Sequence, residues 1–220
     1  MNCRSRIYRI GETRVMNNGL SATIIEYDGF SNIKIRFKNG ATRKTKYKSF
    51  VNGNVLCPMI SDVENDYIRC INPNTDKSFI VDKSDADQVL KSLWQVSSDG
   101  YVGRAEGRLH RLLLNVPRDL QVDHINGDRS DNRRLNLRIC TREQNSRNRK
   151  IPSNNISGYK GVYFRSDKKQ WMACIRADGI KYHLGYFETR EDAALAYNDA
   201  AVKYHSEFAR LNNISEISHV

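Results

Sequence analysis

Asp123 and His124 stand side by side in Val122-Asp123-His124-Ile125-Asn126-Gly127-Asp128, with Asn136 and Asn145 further along the chain. A carboxylate and an amide oxygen are hard donors of the kind magnesium takes. Magnesium uses few protein ligands because phosphate oxygens and water fill its other positions. A histidine beside such a ligand titrates near neutral pH and can take a proton from an attacking water. An oxygen from the side chain or backbone near Asn136 could hold that ring in one tautomer. Arg138, or basic residues near it, could grip a phosphate. The reaction this set suits is phosphodiester hydrolysis, in which a divalent cation neutralises charge growing on the phosphate and the leaving oxygen.

Local elements must bring these groups together. Leu120–Ile125 is apolar enough for a strand, and Asn126-Gly127-Asp128 forces a turn after it. The polar run from Thr141 to Lys150 permits a helix, with Thr141 as its cap. Strand, loop, strand and helix is the expected order, with Asp123 and His124 at a strand end against Asn145 on the helix. Each residue alone is ordinary turn or surface material. The combined spacing carries the reading.

The segment resembles the HNH nuclease motif in its His-Asn-Asn form, found in homing endonucleases of phages and bacteria. Both His110-Arg111-Leu112-Leu113-Leu114 and Asp123-His124-Ile125-Asn126-Gly127 match that pattern. The resemblance implies metal ligands at Asp123 and Asn145, a general base at His124 and an orienting residue at Asn136. The third family position is often histidine, whereas Asn145 stands there in this chain. His110 is assigned to the structural frame.

Around this motif the charge is uneven. The chain holds 36 Lys and Arg against 25 Asp and Glu, a net charge of +11. Residues 1–60 carry a net +8, 61–103 a net −4, 104–150 a net +6 and 158–220 a net +1. A basic excess favours polyanions, either nucleic acid or an acidic membrane surface. No apolar run spans a bilayer and none behind Met1 reads as a signal peptide, so a soluble intracellular protein is expected; the resemblance implies the cytoplasm of a bacterial or phage-infected cell. The five scattered cysteines lack metal-knuckle spacing and read as reduced thiols.

In Ile33-Lys34-Ile35-Arg36-Phe37-Lys38 apolar and basic residues alternate, which predicts a strand with Lys34, Arg36 and Lys38 on its polar face. Asn39-Gly40 marks a hairpin, and a second basic strand is expected over Arg43–Lys48. Further on, Phe79-Ile80-Val81 reads as a strand, and Ser84 as the N-cap of a helix reaching about Leu93. A hairpin is expected from Tyr101–Arg104 and Gly107–His110. Residues 151–157 carry no charge and read as a linker. Beyond them lie strand-like runs near 159–165, 170–176 and 180–186, then a helix opened by Thr189 with Ala193, Ala196, Tyr197, Ala200 and Tyr204 on its apolar stripe.

Gly158-Tyr159-Lys160-Gly161-Val162-Tyr163, Trp171-Met172-Ala173, Leu184-Gly185-Tyr186-Phe187 and Ala193–Ala201 together are similar to the AP2 DNA-binding domain, over roughly 158–212. That resemblance implies a three-stranded sheet laid in the major groove with a helix behind it. Lys160, Tyr163, Arg165, Arg176, Lys181, His183 and Tyr186 are the candidate DNA contacts, alternating with Val162, Phe164, Ile175 and Leu184 turned inward. Tyr163 and His183 replace Arg-type and Trp-type positions of the plant members, so no target sequence carries over.

The expected fold class is α+β and multi-modular. A basic β domain spans 1–58, an HNH nuclease of the ββα-metal kind 62–150 with its core motif at 108–150, a linker 151–157, and an AP2-like module 158–212. The expected function is site-specific DNA endonuclease activity of the homing type, with Mg2+ (or Mn2+) as cofactor and double-stranded DNA as partner. A monomer is expected, with no protein partner implied. The rival readings are a non-catalytic DNA-binding regulator on the same modules and a nuclease acting on RNA or structured DNA.

Overall fold

A computed structural model of the chain describes residues 9–214. The fold is a mixture of several small sheets and few helices, and it divides into two compact units. Among the described residues, one comprises 9–115 and 128–137, the other 116–127 and 138–214.

The first unit opens with a four-stranded antiparallel meander, β1 (Thr13–Val15), β2 (Ser21–Tyr27), β3 (Ile33–Phe37) and β4 (Thr42–Thr45). The alternation read from β3 holds: Ile33, Ile35 and Phe37 are buried while Arg36 and Lys38 are exposed. The second basic strand ends early. After Thr45 the chain turns into a short helix, α1 (Tyr47–Val51), which drives Phe50 into the core beside Ile24 and Ile35. Burying that phenyl ring outweighs continued strand pairing.

A three-stranded sheet follows, β5 (Ile60–Val63), β6 (Tyr67–Asn72) and β7 (Lys77–Asp82), and leads directly into α2 (Lys83–Leu90). Asp82 rather than Ser84 stands at the N-cap, and its side chain makes no capping bond. Its carboxylate instead accepts the backbone N–H of Arg134 at 2.7 Å. A tertiary partner therefore displaces the local capping signal. The pairing of β9 (Val102–Arg104) with β10 (Gly107–Arg108) forms the expected hairpin, flanked by β8 (Gln95–Val96). His110 lies in the helix after it, α3 (Leu109–Leu114), and is buried.

In the second unit, β11 (Gln121–His124) and β12 (Leu137–Cys140) form a two-stranded sheet, and α4 (Arg142–Arg147) follows with Thr141 as its cap. Thr141 and Gln144 satisfy each other's backbone N–H reciprocally, which fixes where the helix starts. A three-stranded antiparallel sheet, β13 (Val162–Arg165), β14 (Gln170–Ala177) and β15 (Ile180–Phe187), carries α5 (Arg190–His205) on one side. Thr189 caps α5 by accepting the N–H of Asp192 at 3.1 Å. Ala193, Ala194, Tyr197, Ala200 and Ala201 fill the contact with Val162, Ala173 and Ile175. Phe164 departs from expectation at 52% exposed, because β13 is an edge strand and its ring meets only the edge of Trp171. Among the described residues no helix is long and apolar enough to cross a membrane.

Candidate active site

The strand β11 ends in Asp123 and His124, only 5% and 4% exposed. The turn behind them closes through the Gly127 N–H on the His124 carbonyl at 2.8 Å, with Gly127 at φ +74°. An ionised carboxylate so deeply placed needs partners, since an unpaired buried charge is costly. Asp123 has two. The Arg138 guanidinium donates from Nε and Nη2 to its Oδ2 at 2.9 and 2.6 Å, and the Asn148 amide donates to Oδ1 and Oδ2 at 3.0 and 3.1 Å. Cys140, on the partner strand, feels the same charge: burial first, then Asp123, pushes its thiol up to about 11. Its thiol is therefore protonated at neutral pH. Cys57, Cys70 and Cys174 are likewise free and buried, while Cys3 lies outside the described residues.

Asn145 reaches the same strand from α4. Its Nδ2 donates to Gln121 Oε1 at 2.8 Å. Residues 121 and 123 share one face of a strand because side chains alternate, so Asn145 is brought to the Asp123 face. Asn148, one turn later, was not among the sequence candidates, yet its buried amide makes the most contacts. Besides Asp123 it donates to the backbone carbonyls of His124 at 3.0 Å and Ile125 at 3.3 Å. Its signal in the sequence was the spacing Asn145-x-x-Asn148, which puts both amides on one side of a helical turn.

Arg138, the candidate phosphate contact, is held from both ends. Beyond Asp123, its Nη1 donates to the Glu207 carbonyl, and its guanidinium stands 4.1 Å from the Phe208 ring centre. Residues 206–208 form the short turn that ends α5. Helix α4 makes parallel contacts in this unit. Arg147 pairs with Asp178 at 2.9 Å, Glu143 accepts the Asp178 N–H at 3.1 Å, and the Lys160 ammonium donates to the carbonyls of Arg147 and Arg149.

Asn136 ends a 3-10 turn, Arg134–Asn136, just before β12, and its Nδ2 donates to the Asp131 carbonyl at 2.9 Å. This turn belongs to the first unit. There, Ile80 of β7 exchanges backbone bonds with Ser130 and Asn132, and Arg134 grips the buried carboxylate of Asp85 with two bonds at 2.8 and 2.9 Å.

The candidate nucleic-acid contacts fall into two sets. Register pairs Tyr163 with Met172 and Met172 with Tyr186, Arg176 with Lys181, and Cys174 with His183. Cross-strand partners share a face, and α5 covers the other, so Tyr163, Arg165, Arg176, Lys181, His183 and Tyr186 stand on the open side of the sheet. A cleft of about 390 Å3 lies where Tyr163, Arg176 and Lys181 meet Arg147 and Lys160. The Lys160 ammonium is already engaged on main-chain carbonyls, and burial, with Arg210 and Arg149 nearby, lowers its pKa to about 8. In the first unit Arg36 and Lys38 are exposed on β3, while Lys34 is paired with Glu26 at 2.8 Å.

A paired strand holds the buried Asp123-His124 corner, with the Asn148 amide on Asp123 and the Asn145 amide on Gln121 of the same strand. The family of HNH endonucleases is matched over residues 115–147, the stretch that contains this corner. Two viral proteins are similar to the chain. An uncharacterized HNH endonuclease of Acanthamoeba polyphaga mimivirus is 32% identical over 137 residues, covering 57% of this chain and 70% of that protein. Protein 3.8 of Escherichia phage T7 is 30% identical over 95 residues, covering 43% of this chain and 78% of its own. No solved structure matches the chain. The chain belongs to the HNH endonuclease family.

Proposed function

We propose that the protein is a site-specific, divalent-cation-dependent DNA endonuclease of the homing type. The carrying observation is the buried Asp123 carboxylate at the end of β11, with the amides of α4 closing over its strand. The donor set fits a magnesium or manganese ion: Asp123 and Asn145 offer hard oxygens and leave most positions to phosphate and water. Among the described residues no group of three His, Cys, Asp or Glu offers a chelate of the zinc kind. Bound there, the cation would offset charge building on the phosphate and the leaving oxygen.

The chain's own residues do the rest. His124 takes a proton from the attacking water on a ring nitrogen; the motif assigns the role of orienting that base to Asn136. Arg138 fixes the Asp123 carboxylate through two bonds to Oδ2; it reaches phosphate by exchanging one of its present partners. The open face of β13–β15 reads DNA in the manner of an AP2 domain, with Tyr163, Arg165, Arg176, Lys181, His183 and Tyr186 as contacts. The basic cleft beside α4 takes backbone phosphate, and Lys34, Arg36 and Lys38 add contacts from the N-terminal sheet.

A plasmid-nicking assay in magnesium, with a chelator control, tests the mechanism. His124→Ala is expected to abolish cutting and leave a gel shift unchanged. Cleavage by that variant at the wild-type rate overturns the assignment. Chelator-resistant binding with no cleavage by the wild type favours a DNA-binding regulator.

A further inference from the structure

The N-terminal sheet carries a second constellation that hydrolysis does not use. Tyr27 at the end of β2, Phe30 in the following turn and Tyr47 at the start of α1 converge. Tyr27 and Phe30 are 6.1 Å apart, Tyr27 and Tyr47 6.0 Å, and Phe30 and Tyr47 5.5 Å between ring centres, each pair edge-on. Main-chain bonds set the arrangement: the Tyr47 N–H donates to the Phe30 carbonyl at 2.8 Å, and Asp28 and Asn32 close the turn that presents Phe30. Between the rings lies the guanidinium of Arg9, at 4.2 Å from Tyr47, 5.2 Å from Phe30 and 5.8 Å from Tyr27. A carboxylate completes the enclosure. Glu12 accepts the Tyr47 hydroxyl at 3.0 Å and lies 3.8 Å from Arg9 Nη1.

Three ring faces and one carboxylate make a receptor for an organic cation, because each ring quadrupole attracts positive charge within about 6 Å of its centre. The receptor is open on one side. Phe30 is 63% exposed in a surface turn, while Tyr27 and Tyr47 are packed against the N-terminal core. Arg9 itself remains one-third exposed.

We propose that Tyr27, Phe30, Tyr47 and Glu12 form a binding site for an arginine side chain presented by a partner polypeptide, and that Arg9 closes the site in cis until that partner displaces it. The planar guanidinium suits the site better than an ammonium, since it can lie against the Tyr47 ring while turning an N–H edge toward Glu12. Tethering gives Arg9 a high effective concentration, so an outside arginine competes poorly while Arg9 is in place. The inference is independent of the hydrolytic reading.

The test uses the full-length protein and Nα-acetyl-arginine amide, followed by NMR of the tyrosine ring signals. Arg9→Ala is expected to bind the probe saturably and at least about tenfold more tightly than wild type, the cis competitor having been removed. Arg9→Ala combined with Phe30→Ala, which removes an exposed ring and leaves the core intact, is expected to lose that binding. Nα-acetyl-lysine amide is expected to give a weaker response in the single variant. The proposal is overturned if Arg9→Ala shows no saturable shift, if the double variant binds equally well, or if lysine amide matches arginine amide.

Discussion

At the scale of single residues, the proposed site depends on how a buried carboxylate is held in place. Asp123 is gripped by a guanidinium and by one amide that also ties down the backbone of His124 and Ile125. Asn148 therefore fixes both the expected ligand and the turn behind the expected base. Truncating it to alanine should lower the cleavage rate by about 10- to 100-fold, the range for groups that orient ligands. The same change should cost about 1–3 kcal/mol of stability, because charge-assisted bonds are lost. Single-turnover cleavage together with denaturant melts would check both, and a rate equal to wild type would remove Asn148 from the site. Lys160 offers a pH experiment. Its ordinary value is 10.5, and burial brings it to about 8 in the fold. Between those values the unfolded chain holds a proton that the folded chain has released, so stability from this group rises with pH across that window. Measured by denaturation at pH 7.5 and pH 10, the stability of wild type relative to Lys160→Met should shift in favour of wild type as pH rises. A constant difference would mean that the amine is not desolvated.

At the scale of elements, the C-terminal sheet and helix rest on one close approach. Gly161 sits at φ +75°, and a Cβ there would lie 2.1 Å from the Tyr197 ring and 2.7 Å from the Cys174 carbonyl. Gly161→Ala should destabilise the protein by roughly 3 kcal/mol, combining left-handed backbone strain with overpacking. A shift of under half that in chemical denaturation would show that Tyr197 swings aside. Elements set by local pattern were legible in the sequence. Alternating Ile33, Ile35 and Phe37 announced β3, Thr189 announced α5, and Thr141 announced α4. Elements set by distant partners were not. Asp82 starts α2 because its carboxylate meets Arg134 from 52 residues away, and nothing near Ser84 signals that. The candidate site was legible as a family pattern of residue types at Asp123, His124, Asn136 and Asn145, and the family match covers all four. Asn148 escaped notice because an asparagine at a helix end is usually just a cap. Arg138 was noticed as a cation, but its carboxylate partner fifteen residues back could not be read without the pairing of β11 with β12.

At the scale of the whole molecule, the matched family segment is divided between the two compact units. Residues 128–137 belong to the first unit, while the flanking strands and helix belong to the second. The chain thus passes between units three times within the stretch that carries the site. Within the second unit the motif is fastened to the C-terminal elements by Arg138 on Glu207 and Phe208, Arg147 on Asp178, and Lys160 on the end of α4. A chain ending at residue 150 would lose every one of those partners. It should show reduced thermal stability and little cleavage, measured by melting and by plasmid nicking against the full-length chain. Full activity in the shortened chain would make the C-terminal elements dispensable to the site.

On the proposed reading of β13–β15 as the DNA-recognition surface, the uncharged stretch at 151–157 reads as the place to exchange one such surface for another. The grip of Phe208 and Glu207 on Arg138 argues otherwise. A grafted module would also have to supply a ring and a carbonyl for that guanidinium, or the transplant would retune the cutting centre along with the address it recognises. If β13–β15 reads DNA as proposed, selection for new target sites should yield compensating changes at positions 207, 208 and 138.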